Sequence, residues 1–128
     1  MTAAELMTRK FESVHADASL EEVARKLESS DSDLLPVCTD GHLVGTITHE
    51  ELAVRVPSAR RRLEPTRVAD LIGADILFCF ENTEVAEAAK LMKENRVSFL
   101  PVLSRSRKVV GVLALKDIPD ERTAIRKG

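Results

Sequence analysis

The chain has 128 residues, 44% of them hydrophobic and 31% charged, with a net charge of −2 and a pI near 5.9. That length bounds one ordinary domain or two very small ones, with a real core but no room for a large substrate cavity. The nearly balanced charge gives no global pull toward nucleic acid or an anionic membrane, and no apolar run approaches the roughly 20 residues of a membrane helix.

From the N-terminus, "MTAAELMTRK" lacks a basic segment followed by an apolar block, so no secretory signal is read and the cytoplasm is the default expectation. Leu6-Met7 belongs to a lead-in that reads as a single helical turn, and Ser13 to His15 as a short extended segment. A helix is expected next. Asp17 and Ser19 offer N-cap oxygens, Glu21 and Glu22 stand in the first turn, and Leu20, Val23, Ala24 and Leu27 form one apolar stripe. Ser29-Ser30-Asp31 closes it. "LLPVC", a turn "TDGH" and "LVGTIT" then read as a hairpin, after which Glu51-Leu52 opens a last helix.

The same order recurs. An offset of 65 positions brings Ala4 onto Ala69, Leu6 onto Leu71, Glu22 onto Glu87, Ala24 onto Ala89, and Leu35-Pro36-Val37 onto Leu100-Pro101-Val102. After the turn the offset is 66, and Val44-Gly45 falls on Val110-Gly111. The extra residue lies in the second turn, "SRSRK", where solvated backbone tolerates insertion. In the second copy, Leu77 to Phe80 is apolar throughout, as a strand buried on both faces would be. Asn82 or Thr83 is the expected cap, Val85, Ala88, Ala89 and Met92 form the stripe, Asn95 ends the helix, and Asp117-Ile118 starts the last one. Each copy is thus β-α-β-β-α, spanning 1–56 and 67–128 with a linker at 57–66. Pro36 and Pro101 suit edge or interrupted strands, having no N–H for a ladder. Gly45 and Gly111 mark places where a backbone bends or is closely approached. Half a chain is marginal alone, so the copies are expected to pack on each other across their sheets.

Between the copies, Arg60-Arg61-Arg62 is the strongest basic run. It reads as a solvated helix face, or as a contact to an anion such as phosphate. Cys38 and Cys79 sit in apolar runs as buried thiols, with a disulfide left open. His15, His42 and His49 show no metal-ligand spacing, so no metal site is expected. Four phenylalanines without Trp or Tyr give no stacking platform for nucleic acid.

The paired "LPV…turn…VG" blocks, each closed by an acidic-apolar pair and preceded by a helix with a small-residue stripe, resemble the CBS domain. Two in tandem form a Bateman module. The resemblance covers about 4–52 and 69–118. It implies an α+β fold of two β-α-β-β-α repeats packed sheet to sheet with pseudo-two-fold symmetry. It also implies a regulatory module rather than an enzyme, needing no cofactor and taking an adenosine-containing ligand (AMP, ADP, ATP, NAD or S-adenosylmethionine) in the cleft between repeats. In the family an Asp of a T-x-x-D motif holds the ribose hydroxyls and the Thr assists. Here Thr48 matches the Thr while Glu51 replaces the Asp; Asp117 matches the Asp while Ala114 replaces the Thr. The resemblance favours the Asp117 site, with Thr8 and Lys10 supplying its lead-in side and Lys10 a phosphate contact. Gly73 to Ile76 would frame the Glu51 site, where Asp75 would repel phosphate. Phe99 closes the Asp117 pocket, stacks on a base, or is simply core. For Glu51 and Asp117 the competing role is helix capping.

Two functions follow: a nucleotide sensor read out by an effector protein or a second copy of the chain, and a dimerisation or scaffold module with degenerate sites. A symmetric homodimer through the Leu20–Leu27 and Val85–Met92 helices is expected in either case. For an enzyme, only Glu50-Glu51 as paired carboxylates and Ser98 or Thr48 as nucleophiles come forward. No base lies near them in sequence.

Overall fold

Local chemistry starts each element, and the computed structural model describes residues 1–30, 33–53, 67, 72 and 76–119. Helix α1, Ala3–Leu6, is one turn, and the Glu5 carboxylate accepts the Thr2 N–H at 2.6 Å. Strand β1 is Val14–His15. Helix α2, Leu20–Ser29, is capped by Ser19, whose hydroxyl accepts the Glu22 N–H at 3.2 Å; of the two candidate caps the serine holds the position. The hairpin is β2, Leu34–Thr39, and β3, His42–Thr48, and residues 49–53 are helical. The second copy supplies β4, Cys79–Phe80, α3, Val85–Glu94, β5, Phe99–Leu103, and β6, Val109–Ala114. A single 3-10 turn, Leu115–Asp117, follows.

The result is α+β: two three-stranded sheets, β1-β2-β3 and β4-β5-β6, of the same topology. In each, the first strand pairs parallel and the hairpin antiparallel with the middle strand. Val23 and Leu27 bury one face of α2 on the first sheet, and Ala88 and Met92 one face of α3 on the second, with Ala89 buried beside them. Across the seam Val109 N–H donates to Gly41 O at 3.3 Å, and the Lys108 stem lies against Gly41.

Several expectations change. Of the two placements expected for Pro36 and Pro101, the edge is not found: both stand in middle strands whose parallel pairing is interrupted before the proline. They are tolerated because β1 reaches only Val37 and Cys38, and β4 only Val102 and Leu103, so neither proline faces a parallel neighbour. The segment Leu77 to Phe80 is not buried on both faces. Cys79 enters the core, while Phe78 and Phe80, two apart and half-buried, meet edge to face at 5.5 Å. Neither Asn82 nor Thr83 caps α3: Glu84 holds the N-cap without a side-chain bond, and the Thr83 hydroxyl accepts the Phe80 N–H at 3.0 Å. Asp117 ends a 3-10 turn instead of starting a helix. Leu71, Gly73 to Asp75, the Arg60-Arg61-Arg62 run and the whole linker at 57–66 lie outside the described residues.

The lead-ins cross over. Ala3 and Met7 are buried in the core of the second repeat, with Leu6 packed against it, and Ile72 packs on the core of the first. Thr8 pairs antiparallel with Val112, its N–H donating to Val112 O at 2.9 Å and its O accepting the Val112 N–H at 3.1 Å. The two glycines seat these crossings. A Cβ on Gly111 would lie 2.5 Å from Met7 Sδ, and one on Gly45 would lie 2.7 Å from Ile72 Cδ1.

Candidate functional site

The crossing brings loops of both repeats to one opening, a cavity of about 400 Å3. From the first repeat it is lined by Asp33 and Leu34 at the start of β2, by Thr46 and Thr48 on β3, and by Glu50 and Glu51 just after it. Thr46 and Thr48 share a face by the strand period, with Gly45 and Ile47 buried on the other. From the second repeat come Leu77, before β4, and Arg96 to Phe99, between α3 and β5.

Thr48 and Glu51 are joined to each other. The Thr48 hydroxyl accepts the Glu51 N–H at 3.1 Å and donates to Glu51 Oε1 at 3.2 Å, a capping arrangement that starts the helical turn at 49–53. The His49 N–H donates to Asp33 Oδ1 at 3.1 Å, and His49 Nε2 stands 3.1 Å from Leu27 O, so the turn is tied back to β2 and α2. Thr48→Ala is expected to cost about 1 kcal/mol, the loss of one N-cap. A denaturation midpoint unchanged from wild type would contradict the cap.

Arg96 enters the cavity through backbone geometry. It follows the C-cap Asn95 with φ +56. Val97 N–H donates to Met92 O at 2.9 Å and Arg96 N–H to Lys93 O at 3.3 Å, the paired bonds of a left-handed helix end that glycine usually supplies. Arg96 and Glu50 are exposed, and neither forms an ion pair with a described residue.

The second copy is different at the same place. Ala114 has no hydroxyl, the following turn is 3-10 with no side-chain cap, and Asp117 is exposed with no hydrogen bond or ion pair to a described residue. Thr8 lies beside β6, its hydroxyl donating to Lys10 O at 3.3 Å, and Lys10 is exposed. Thr8, Lys10 and Asp117 do not line the 400 Å3 cavity; Thr48, Glu51 and Phe99 do. The phenylalanine expected near Asp117 therefore borders the Glu51 side. Among residues not singled out in sequence, Thr46 was signalled by its two-residue spacing from Thr48. Asp33 and Arg96 carry no comparable local signal.

A smaller hollow of about 260 Å3, at the other end of the hairpins, is bordered by Phe11, His15, Cys38 and Asp40 among others. Cys38 and Cys79 are free thiols. Burial raises both, Cys79 to about 11, so both are protonated at neutral pH and neither has thiolate character. Among the described residues no three His, Cys, Asp or Glu side chains are grouped to hold a metal ion, and no helix is long and apolar enough to cross a membrane.

Relatives share this architecture. A CBS domain-containing protein of Dictyostelium discoideum is 29% identical over 126 residues, covering 91% of this chain and 87% of that protein. The homoserine O-acetyltransferase of Methanococcoides burtonii is 26% identical over 118 residues, but this chain spans only 23% of its length. Among solved structures, the CBS domain pair of protein MJ0100, in complex with 5′-methylthioadenosine and S-adenosyl-L-methionine, superposes with a TM-score of 0.80 at 22% identity, covering 100% of this chain and 98% of that one. CBSX2 of Arabidopsis thaliana, in complex with AMP, gives 0.80 at 24% identity, covering 98% and 97%. The CBS domain family matches twice, at residues 3–58 and 68–121. With two matched repeats, two sheets of one topology and crossed lead-ins, this chain belongs to the CBS-domain family.

Proposed function

We propose that the chain is a regulatory module that takes an adenosine-containing ligand in the cleft between its repeats and passes on occupancy as a change of conformation or assembly. The observation that carries this is the cavity of about 400 Å3 walled by both repeats. Its size lies within the usual range for small-molecule sites, roughly 300–1,000 Å3. Leu34, Leu77, Val97 and Phe99 give it apolar surface for a base, and Thr46, Thr48 and Glu51 give it hydroxyls and a carboxylate able to accept from ribose. A ligand there touches both halves, so binding ties one to the other. The ligands in the MJ0100 and CBSX2 complexes share the adenosine group. The preferred site thus moves from Asp117 to the Glu51 side, because that is where a cavity holds the motif residues together.

Thermal unfolding with AMP, ADP, ATP, NAD and S-adenosylmethionine tests the reading. A ligand at a hundred times its Kd stabilises the folded state by about 2.7 kcal/mol, a rise of several degrees in Tm. Glu51→Gln is expected to reduce that rise, while Asp117→Asn leaves it unchanged. Sedimentation with and without ligand reports whether two copies associate as a homodimer. No stabilisation by any of the five at millimolar concentration would defeat the sensor reading. It would favour instead the scaffold reading, which the mutual bonding of Thr48 and Glu51 and the missing hydroxyl at Ala114 support.

A further inference from the structure

One side chain joins helix α2 to the turn at 49–53. His49 is the first residue of that turn, after the capping Thr48. Its N–H donates to Asp33 Oδ1 at 3.1 Å, and its Nε2 stands 3.1 Å from Leu27 O. A carbonyl only accepts, so Nε2 carries the proton. Leu27 belongs to the last turn of α2, where carbonyls lack a partner within the helix, and its oxygen also takes the Ser30 N–H at 3.3 Å. The Leu27 side chain is fully buried in the core of the first repeat, so this end of the tie is fixed. The other end borders the cavity, through Asp33, Thr48, Glu50 and Glu51. The second repeat is built differently there. At the offsets of the duplication Met92 answers Leu27, Ser98 answers Asp33 and Leu115 answers His49. The Met92 carbonyl accepts the Val97 N–H at 2.9 Å, and the Leu115 N–H donates to Ser98 O at 2.9 Å, so both bonds are backbone to backbone. Leu115 has no donor on its side chain. The bond from a ring to a helix end thus belongs to the repeat whose Thr48 and Glu51 border the cavity.

We infer that His49 is a positioning residue of the cavity: it holds the turn bearing Thr48 and Glu51 against the end of α2, and makes that end the part of the fold that reports occupancy. The inference rests on the ligand reading proposed above and names how that site is read out. A ligand that engages Thr48 or Glu51 stiffens the turn, and His49 carries the change to Leu27 O. The coupling cannot exceed the bond that carries it, about fivefold in an equilibrium constant. Linkage makes it reciprocal, so a turn released from α2 holds the ligand less tightly by the same factor.

Hydrogen exchange and calorimetric titration of the wild-type chain, His49→Ala and His49→Gln test this, with each of AMP, ADP, ATP, NAD and S-adenosylmethionine as probe. With a ligand that binds, exchange at residues 28–30 of the wild type is expected to slow on the order of fivefold, together with residues 49–51. In His49→Ala the slowing at 49–51 remains, the slowing at 28–30 is lost, and the ligand binds on the order of fivefold more weakly. His49→Gln, whose side-chain amide donates as the ring does, restores both. A helix end that slows equally in His49→Ala, or not at all in the wild type, overturns the inference while leaving the ligand reading in place. So does an unchanged affinity in His49→Ala. Binding of none of the five removes both.

Discussion

Leu35→Ala is expected to cost about 4 kcal/mol and the equivalent Leu100→Ala about 3 kcal/mol, within the range for truncating a fully buried leucine. Both side chains are 0% exposed and occupy matching places in the two sheets. Leu35 stands opposite Ile47, and Leu100 opposite Leu113. The difference lies in what surrounds them. The first core is built from Val14, Val23, Leu27, Val37, Ile47 and Leu52, largely β-branched and stiff about χ1. The second contains Met7 and Met92, unbranched side chains that can lean into a void. A cavity that partly refills costs less. Urea unfolding of the two variants reads the order directly. Since a domain of this kind has only about 5–15 kcal/mol of stability in total, either substitution removes a large share of it. A larger loss for Leu100→Ala would contradict the account of the methionines.

Gly111→Ala is expected to destabilise the chain by about 2 kcal/mol, in the range for overpacking, and to loosen the N-terminal lead-in before the rest. The added Cβ would stand 2.5 Å from Met7 Sδ, 2.9 Å from Met7 Cγ and 2.9 Å from Thr8 O. The methionine can swing aside. The carbonyl is backbone, and it accepts the Val112 N–H, so it cannot move without loosening that bridge. Hydrogen exchange at Thr8 and tryptic cleavage after Arg9 or Lys10 should both accelerate, with α2 and the β2–β3 hairpin protected as before. At Gly45 the added Cβ would stand 2.7 Å from Ile72 Cδ1 and 2.9 Å from Ile72 Cβ, an atom fixed to its backbone on a side chain stiff about χ1, so Gly45→Ala is expected to cost about as much. Unchanged exchange at Thr8 in Gly111→Ala would show that the lead-in is not held by this close approach.

These two crossings bear on the site. The N-terminal lead-in packs at Gly111 and Ile72 at Gly45, and Thr46, Thr48, Val97 and Phe99 border the cavity that both repeats wall. The two ends of the duplicated hairpins have also diverged. Thr48 and Glu51 are hydrogen-bonded to each other, whereas Ala114 is followed by a 3-10 turn in which Asp117 has no partner among the described residues. One hydroxyl decides the difference.

Much of the local structure was legible from sequence because its causes are local. The apolar stripes of α2 and α3, the Ser19 cap and the single helical turn at Ala3–Leu6 follow from spacing and side-chain chemistry within a few residues. The missed α3 cap is also local in kind. Asn82 and Thr83 are both competent, but the Thr83 hydroxyl is taken by the Phe80 N–H, a choice set by the turn out of β4. The apolar run at Leu77 to Phe80 suggested burial on both faces, yet hydrophobicity alone does not say that two phenylalanines will shelter each other.

What the sequence by itself determined is the duplication, the element order within each copy and the family, since two offset alignments of strands, turns and helices leave little freedom. What only the tertiary structure decided is where those elements meet. Whether the proline strands lie at an edge or in the middle depends on how far β1 and β4 extend along them. Which half owns the cavity depends on where Phe99, Arg96 and Leu77 come to lie against Thr48 and Glu51, residues some 26 to 51 positions away in the chain. Periodicity fixes which side chains share a face but not what that face is laid against. That is set by packing two sheets and two crossed lead-ins at once, a long-range compromise that no local window of residues contains.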